Sequence, residues 1–518
     1  MEFSSFHVFI FFFTFLWFLV FTKKFLFWVY LWQLKEYHLG RFLAHFDTFK
    51  GKRLIFNSIN LIEVFLILFF LIYPFLFPLP NFLSILLWYL TLILVFLLQG
   101  GKIFLDILKK NLKTPILTKK TALILFLGFS FQVGIISLLF SQNFWIWTIS
   151  LFPFLILDFF APLISSAIIL ATEPVAIFWR GQIIEKAKKK RAQLKNLLVI
   201  AITGSYGKTS TKEFLATILA DKFRVLKTKE HQNSEVGISQ CILNDLKPEH
   251  QIFVVEMGAY NRGGIKLLCD IAKPKIGILT GINEQHLATF GSQENIIKTK
   301  FELIEALPKD GIAFFNGKNK YCSELYDKTK IQKRLYGQEA SFPGEENILG
   351  ARAVAKGLGM TNEEISRGVE KIENKFGGIQ IKKGINGLNI IDATYSANPD
   401  GVIAHLEYLK TFRQGRSAEL SRSPQARLVI IMPCLIELGS ASQEVHKRIG
   451  QKIGQVCDLA IITTKDKFKK IKEGAGEKAV FIENPKEIFE KIKNFCEADD
   501  VILLEGRIPN EVIKLLSK

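Results

Sequence analysis

The segment "VIAITGSYGKTSTKEF", Val199–Phe214, holds the residues with the clearest chemical potential. An apolar run ends in Gly204, Ser205, Tyr206 and Gly207, and Lys208, Thr209 and Ser210 then open a helical pattern. A strand, a tight glycine turn and a helix N-terminus make an anion site, because free backbone N–H groups and the helix dipole converge there. Glycines let the backbone approach phosphate oxygens, Lys208 would neutralise β/γ-phosphate charge, and the Thr209 hydroxyl suits Mg²⁺. The usual phosphate loop reads G-x-x-x-x-G-K-[ST]. Here the first glycine is Gly204 and position 202 is Ile, so the loop is short. G-x-x-G-K-[ST] alone is only moderately selective, and a plain strand–turn–helix with Gly and Lys is the bland alternative. The flanking elements favour nucleotide binding.

Two further strand ends carry polar residues. "QIFVVEMGA" places Glu256 at the exit of an apolar strand, and "KIGILTGINEQHLATFGS" does the same for Asn283 and His286. In an open parallel sheet, ligands bind beyond the carboxyl ends of the strands, so Glu256 and His286 are expected to face the short loop. A carboxylate oxygen with an imidazole nitrogen suits Mg²⁺ or Mn²⁺, although Mg²⁺ ordinarily prefers oxygen. A lone His after a strand is more often structural. Two such residues beside a phosphate loop shift the balance toward function.

The elements that position these residues are α/β in texture from Leu197 onward. "RLVIIM", "LAIITT", "AVFIEN" and "DVILLEG" read as strands, and "EVHKRIGQKIGQ" and "PKEIFEKIKNF" as helices between them, a small Rossmann-type domain. The expected fold is therefore a multi-domain chain. An α-helical transmembrane region (1–180) and a basic linker helix (181–196) precede an α/β ATP-binding domain with a mostly parallel sheet (197–375). A smaller Rossmann-like α/β domain (376–518) follows. Arg413–Arg427, "RQGRSAELSRSPQAR", reads as a polar, basic mobile loop.

The first 180 residues differ sharply. Phe accounts for 47 of the 518 residues, and most of that excess lies here. Five apolar stretches stand out: Phe6–Phe21, Ile59–Phe77, Phe82–Leu98, Thr121–Phe140 and Phe144 onward. Each approaches the ~20 helical residues that cross a bilayer. Lys and Arg cluster in alternate connections, including Lys23 and Lys24 after the first stretch and "RGQIIEKAKKKRAQLK" after the fifth, whereas "PLPN" and "SQN" carry none. The positive-inside rule then predicts five spans, the N-terminus outside, and everything after Arg180 in the cytoplasm. Val29–Phe46 reads as an amphipathic helix on the inner surface. Asp158 and Glu173 are read as acids near an interface in preference to intramembrane functional acids. The net charge of +19 sits beside apolar segments, which favours membrane over nucleic acid as its partner. Six scattered cysteines without C-x-x-C pairs argue against zinc and disulfides, and read as reduced cytosolic thiols.

The order "TGSYGKTS", "EMGAYNRGGI", "TGINEQHLATFGSQENIIKTKFEL", "DATYSANPDGVIAHL", "IELGSASQEVHKRIG" resembles the Mur ligase family. The likeness is strongest to the branch that adds D-alanyl-D-alanine to UDP-N-acetylmuramoyl-tripeptide, and it runs from Leu197 to the C-terminus. The short loop fits, because the family's phosphate loop has the G-x-x-G-K-[ST] form. The resemblance implies an ATP-dependent amide ligase of peptidoglycan precursor synthesis, acting through an acyl phosphate on muramoyl-peptide and D-amino-acid dipeptide substrates. It implies that Gly204 to Ser210 hold ATP, with Lys208 on the terminal phosphates and Thr209 and Glu256 on a first Mg²⁺. His286 would bind a second metal, and Lys300 in "IIKTKFEL" would be the family's CO₂-carbamylated lysine; without the resemblance it reads as a surface lysine. Asn283, Asn347 and Asp392 would face the nucleotide. Asn233, Tyr395 and Asn398 would lie on the substrate side.

Four departures accompany the resemblance. The family's uridine-nucleotide domain is replaced by the membrane region. "ENILG" keeps Asn347 but has Gly350 for a second Asn, Gly378 stands for an Arg, and Asp392–Ala393 stands for paired acids. Two other readings remain open at this point: a membrane-bound poly-glutamate-type synthase, and a nucleotide-sensing scaffold with weak catalysis.

Overall fold

The computed structural model describes residues 5–76, 82–140, 151–229, 232–341, 344–372, 380–394, 397–413 and 425–517. Two compact units divide it, Met1–Trp179 and Arg180–Lys518.

The first unit is helical: α1 (Ser5–Leu34), α2 (Leu39–His45), α3 (Phe49–Ile55), α4 (Ser58–Leu76), α5 (Phe82–Leu108), α6 (Lys119–Phe140), α7 (Phe152–Phe159) and α8 (Ala161–Ala171). Helix α9 (Glu173–Gln193) follows. Among the described residues, five helical stretches are long and apolar enough to cross a membrane by length and composition: Val8–Leu34, Phe49–Tyr73, Leu83–Leu108, Lys119–Leu139 and Ala161–Gln193. Helix α1 is the core of the unit. Trp17, Phe21, Phe25, Val29 and Trp32 are buried along it, and the Trp17 and Trp32 indole N–H groups donate to Phe154 O and Ser166 Oγ, both at 3.0 Å. A buried indole needs such a partner.

Three sequence expectations change here. Helix α1 does not end near Phe21. It continues through Lys23 and Lys24 because both ammonium groups are neutralised inside the bundle, Lys23 by Asp106 and Lys24 by Glu63 and Asp158. Val29–Phe46 is not one helix. Residues up to Leu34 complete α1, Glu36 and Tyr37 take positive φ, and α2 starts afresh with the His38 side chain as its N-cap. Asp158 is not exposed on the surface of the bundle: its carboxylate is fully buried against Lys24. Glu173 is partly exposed and pairs with Lys120 at 2.5 Å. After Leu151 the chain runs through two short helices, broken at Phe160 and Thr172. The earlier part of the Phe144 stretch lies outside the described residues.

The second unit contains two sheets. The first has the order β2-β3-β1-β4-β5-β6, built from β1 (Leu198–Thr203), β2 (Val225–Lys227), β3 (Ile252–Glu256), β4 (Ile276–Leu279), β5 (Ile312–Asn316) and β6 (Gln332–Tyr336). Every pairing is parallel. Such sheets are covered on both faces, and the central strands β1, β3 and β4 are almost fully buried. The covering helices include α10 (Lys208–Leu219), α11 (Gln293–Glu305) and α12 (Glu345–Gly357). The second sheet has the order β11-β10-β9-β12-β8-β7, from β7 (Gln380–Lys383), β8 (Asn389–Ala393), β9 (Leu428–Met432), β10 (Leu459–Ile462), β11 (Ala479–Phe481) and β12 (Val501–Glu505). It is parallel except for β7, which runs antiparallel on the edge. The central strand order in each sheet reverses at one point, which is where open α/β sheets place ligands. All six cysteines are free; five are buried and Cys496 is partly buried.

Candidate active site

Strand β1 ends at Thr203 and the short loop turns into α10 through Gly207, whose φ of 77° favours glycine. A Cβ at Gly207 would also collide with Asn347 Oδ1, which accepts a hydrogen bond from Thr211 at 3.1 Å. Asn347, on the first turn of α12, is thus fastened under the loop. Gly204 is equally constrained, because a Cβ there would meet Thr280 Oγ1. The loop is fixed from β4: the Ser205 N–H donates to Gly281 O at 2.6 Å, and the Thr280 hydroxyl donates to Tyr206 O. Burial pushes the Tyr206 phenol well above its ordinary range. The Lys208 ammonium folds back over the loop and donates to Gly204 O at 2.9 Å and Ser205 O at 3.2 Å.

Glu256 closes one side. Its Oε2 accepts from Thr209 at 3.0 Å and its Oε1 from the Asn233 amide at 2.9 Å, while Lys212 lies 3.4 Å away. Burial works against its ionisation. Lys208 and Lys212, with the Asn233 and Thr209 hydrogen bonds, outweigh that and hold the carboxyl below the usual range. A carboxylate whose ionised form is favoured, touching a hydroxyl, is an oxygen donor set of the kind Mg²⁺ takes.

His286 sits at φ 67°, just past β4, with its ring against Tyr260. Its Nδ1 is 2.5 Å from Glu437 Oε2, a residue of the second sheet's loop after β9. Burial lowers its pKa, Glu437 opposes that, and Lys300 and Lys208 reinforce it. The neutral ring with Nδ1–H on Glu437 leaves Nε2 with a lone pair for a metal. Lys300, on α11, is 3% exposed and lies over the Phe290 ring. Burial first, then repulsion from Lys208, brings its pKa down to about 7. It is therefore not the surface lysine its local sequence suggests.

One cavity of about 550 Å³ is lined by Ser205, Tyr206, Gly207, Lys208, Thr209, Ser210, Asn233, Glu256, His286, Lys300, Asn347 and Asn398. Asn283 stands behind this lining, with its amide donating to Asn398 Oδ1 at 2.9 Å. Asp392 is not among the residues that line this cavity; its carboxylate accepts from Lys382 on edge strand β7 at 2.9 Å and from Thr394 at 2.6 Å. Tyr395, Gly378 and most of Arg413–Arg427 lie outside the described residues. Sequence reasoning missed Glu437, Lys318, Glu346 and His405. The last three line the cavity, and the His405 ring pairs with Glu505 at 2.6 Å. Only a polar residue at a strand's carboxyl end, as with Glu505 on β12, was a usable signal.

Residues 202–367 match the Mur ligase middle domain, and residues 379–508 match the Mur ligase, glutamate ligase domain. Together they cover more than half of the chain. The chain belongs to the Mur ligase family. The UDP-N-acetylmuramoyl-tripeptide–D-alanyl-D-alanine ligase of Synechocystis is 29% identical over 280 residues, covering 49% of this chain and 59% of that protein. Its Bacillus subtilis namesake is 26% identical over 354 residues, covering 61% and 75%. The chain thus spans under two thirds of the first of these Mur ligases. Among solved structures, MurF from Acinetobacter baumannii superposes with a TM-score of 0.57 at 24% identity, covering 65% of this chain and 79% of that one. MurF ligase from Thermotoga maritima, in complex with ADP, gives 0.54 at 24% identity, covering 65% and 83%. These likenesses show the Mur ligase fold for the second unit. The helical unit precedes the matched residues.

Proposed function

We propose that this chain is an ATP-dependent amide ligase of peptidoglycan precursor synthesis, joining D-alanyl-D-alanine or a similar amine to a muramoyl-peptide carboxylate. The observation that carries this is the convergence of Lys208, Thr209, Glu256, His286 and Lys300 on one cavity from the phosphate loop, two further strand ends and α11. A carboxylate oxygen of the acceptor attacks the γ-phosphorus of ATP, ADP leaves, and the amine then attacks the acyl phosphate and expels phosphate. Lys208 and the N-terminal amides of α10 stabilise the charge on the phosphoryl oxygens during transfer. Mg²⁺, when bound, supplies further neutralisation of those oxygens; Thr209 and Glu256 would hold one ion, and His286 a second. Lys300, with a substantial neutral fraction near pH 7, is suited to react with CO₂. The amine nitrogen bonds to the CO₂ carbon, one proton is lost, and the carbamate oxygens face the site as metal ligands. Asn233 and Asn398 would contact the acceptor, with Tyr395 beside them.

The helical unit in place of a uridine-nucleotide domain supports a lipid-linked acceptor presented at the inner face of the cell membrane, with the catalytic unit cytoplasmic and the N-terminus outside. The test uses the full chain in nanodiscs with ATP, D-alanyl-D-alanine and tripeptide acceptor in UDP-linked or lipid-linked form, read by phosphate release and product mass. Amine-dependent phosphate release with a new amide is expected, fastest with the lipid-linked acceptor. Phosphate release that ignores the amine would sink the ligase reading. Equal rates with both acceptors would remove the lipid-linked substrate and leave the ligase standing.

A further inference from the structure

The helical unit carries a polar cluster that the ligase reading does not use. Lys24 of α1 donates to Glu63 Oε1 on α4 at 3.0 Å and to Asp158 Oδ2 on α7 at 2.8 Å. The Gln99 amide on α5 donates to the same Glu63 Oε1 at 3.1 Å. Both carboxylate side chains are 0% exposed. Each keeps one buried oxygen, Glu63 Oε2 and Asp158 Oδ1, without a donor among the described residues. The two carboxylates share one ammonium, since Lys24 Nζ touches both.

The surroundings do not balance this arrangement. On α1 and α5, Lys23 and Asp106 pair with each other at 2.8 Å and contribute no net charge. Helix α6 presents the neutral Gln132, bonded to Thr22 at 2.8 Å, and α8 presents Ser166 to Trp32. One lysine against two carboxylates leaves one negative charge in an apolar bundle, which costs several kcal/mol if nothing neutralises it. A carboxyl can donate a hydrogen bond only when it carries a proton, because an ionised carboxylate has no donor.

We propose that Glu63 and Asp158 form a binding site for one positive charge carrier, a shared proton or a small monovalent cation, with Lys24 and Gln99 holding the pair in register. A proton would reside on one of the two oxygens that lack a donor, Glu63 Oε2 or Asp158 Oδ1; a cation would be held by the same carboxylates. The site joins α1, α4, α5 and α7, so its occupancy is linked to how these helices pack. It stands apart from the ATP cavity and from the ligase reading.

The test uses the full-length protein in nanodiscs at neutral pH. Infrared spectroscopy reads protonated carboxyl, and melting temperature is compared in sodium, potassium and choline chloride. A proton site predicts a protonated-carboxyl band in the wild type that is lost in Glu63→Gln and in Asp158→Asn, each of which removes the excess charge. A cation site predicts no such band, but a melting temperature that rises with sodium or potassium over choline, and loss of that rise in Glu63→Gln. A wild type with neither signal overturns the proposal, and needs no variant to fold. A band or cation shift that survives both substitutions overturns it as well.

Discussion

At the residue scale, Lys300 is the most unusual group in the catalytic unit. A lysine ordinarily titrates near 10.5, and this one is brought down to about 7 by burial beside Lys208. The unfolded chain therefore binds more protons than the folded one between about pH 7 and 10.5, so stability rises with pH across that window. Below about 7 both states are protonated and the full cost of the buried charge is present. In CO₂-free buffer, melting temperature should climb from pH 7 to 10, and Lys300→Met should flatten that slope. With substrates present, Lys300→Ala should abolish turnover, and added short carboxylates should restore part of it by replacing the carbamate oxygens; a variant that stays fully active would remove the carbamate. Glu437 calls for a different experiment. In the proposed site it would orient His286 without itself being a ligand, so Glu437→Gln should weaken Mg²⁺ or Mn²⁺ by about 10-fold or more. The metal titration of turnover should shift, while the rate at saturating metal falls less. Neither role was legible locally. "IIKTKFEL" looks like a surface helix, and Lys300 emerged only through the family's pattern. Glu437 and His286 are 151 residues apart in sequence, and no spacing rule connects them.

At the element scale, the strands and their polar ends were readable, because parallel buried strands are continuous apolar runs with an abrupt polar exit. The short loop, Glu256 and His286 followed from that pattern. The edge of the sheet was not readable. Asp392 looks like one more strand-end acid, yet β7 pairs antiparallel beside it and supplies Lys382, so its charge is used locally. Gly350 shows the reverse. It stands where the family has an Asn, and the structure gives a steric reason: a Cβ there would lie 2.7 Å from the Tyr336 ring. The Tyr336 hydroxyl meanwhile donates to Leu279 O at 3.0 Å, which ties β6 to β4. Restoring the family residue with Gly350→Asn should therefore cost about 1–3 kcal/mol by overpacking, measured by chemical denaturation. Adding Tyr336→Ala should recover part of that loss, since the two positions share one space.

At the scale of the whole molecule, the α/β class and the presence of long apolar helices were legible from composition and periodicity. The interior of the helical unit was not. Lys23 and Lys24 look like loop charges because a charge inside an apolar helix is rare, and only the tertiary pairing with Asp106, Glu63 and Asp158 explains their position. The cysteine distribution offers a direct test of topology. All six cysteines lie between Cys241 and Cys496, and none lies in the helical unit. A cysteine placed at Lys113, in a basic connection, should react with a membrane-impermeant maleimide only after cells are opened. One placed at Glu2 should react in intact cells. The opposite pattern would reverse the orientation.

The loop after β4 links the two α/β domains. Asn283 meets Asn398, Glu284 lies 3.5 Å from Arg448, and His286 meets Glu437, so three contacts within four residues reach across to the second sheet's domain. The same short segment carries His286, the imidazole proposed above as a metal ligand. If the two α/β domains part, that ring loses the carboxylate that fixes its proton on Nδ1, and its lone pair is no longer held toward the phosphate loop. On the proposed function, closure of the two domains and readiness of the metal ligand would be a single event, and hydrolytic discharge of ATP in the parted arrangement would be disfavoured without any separate lid.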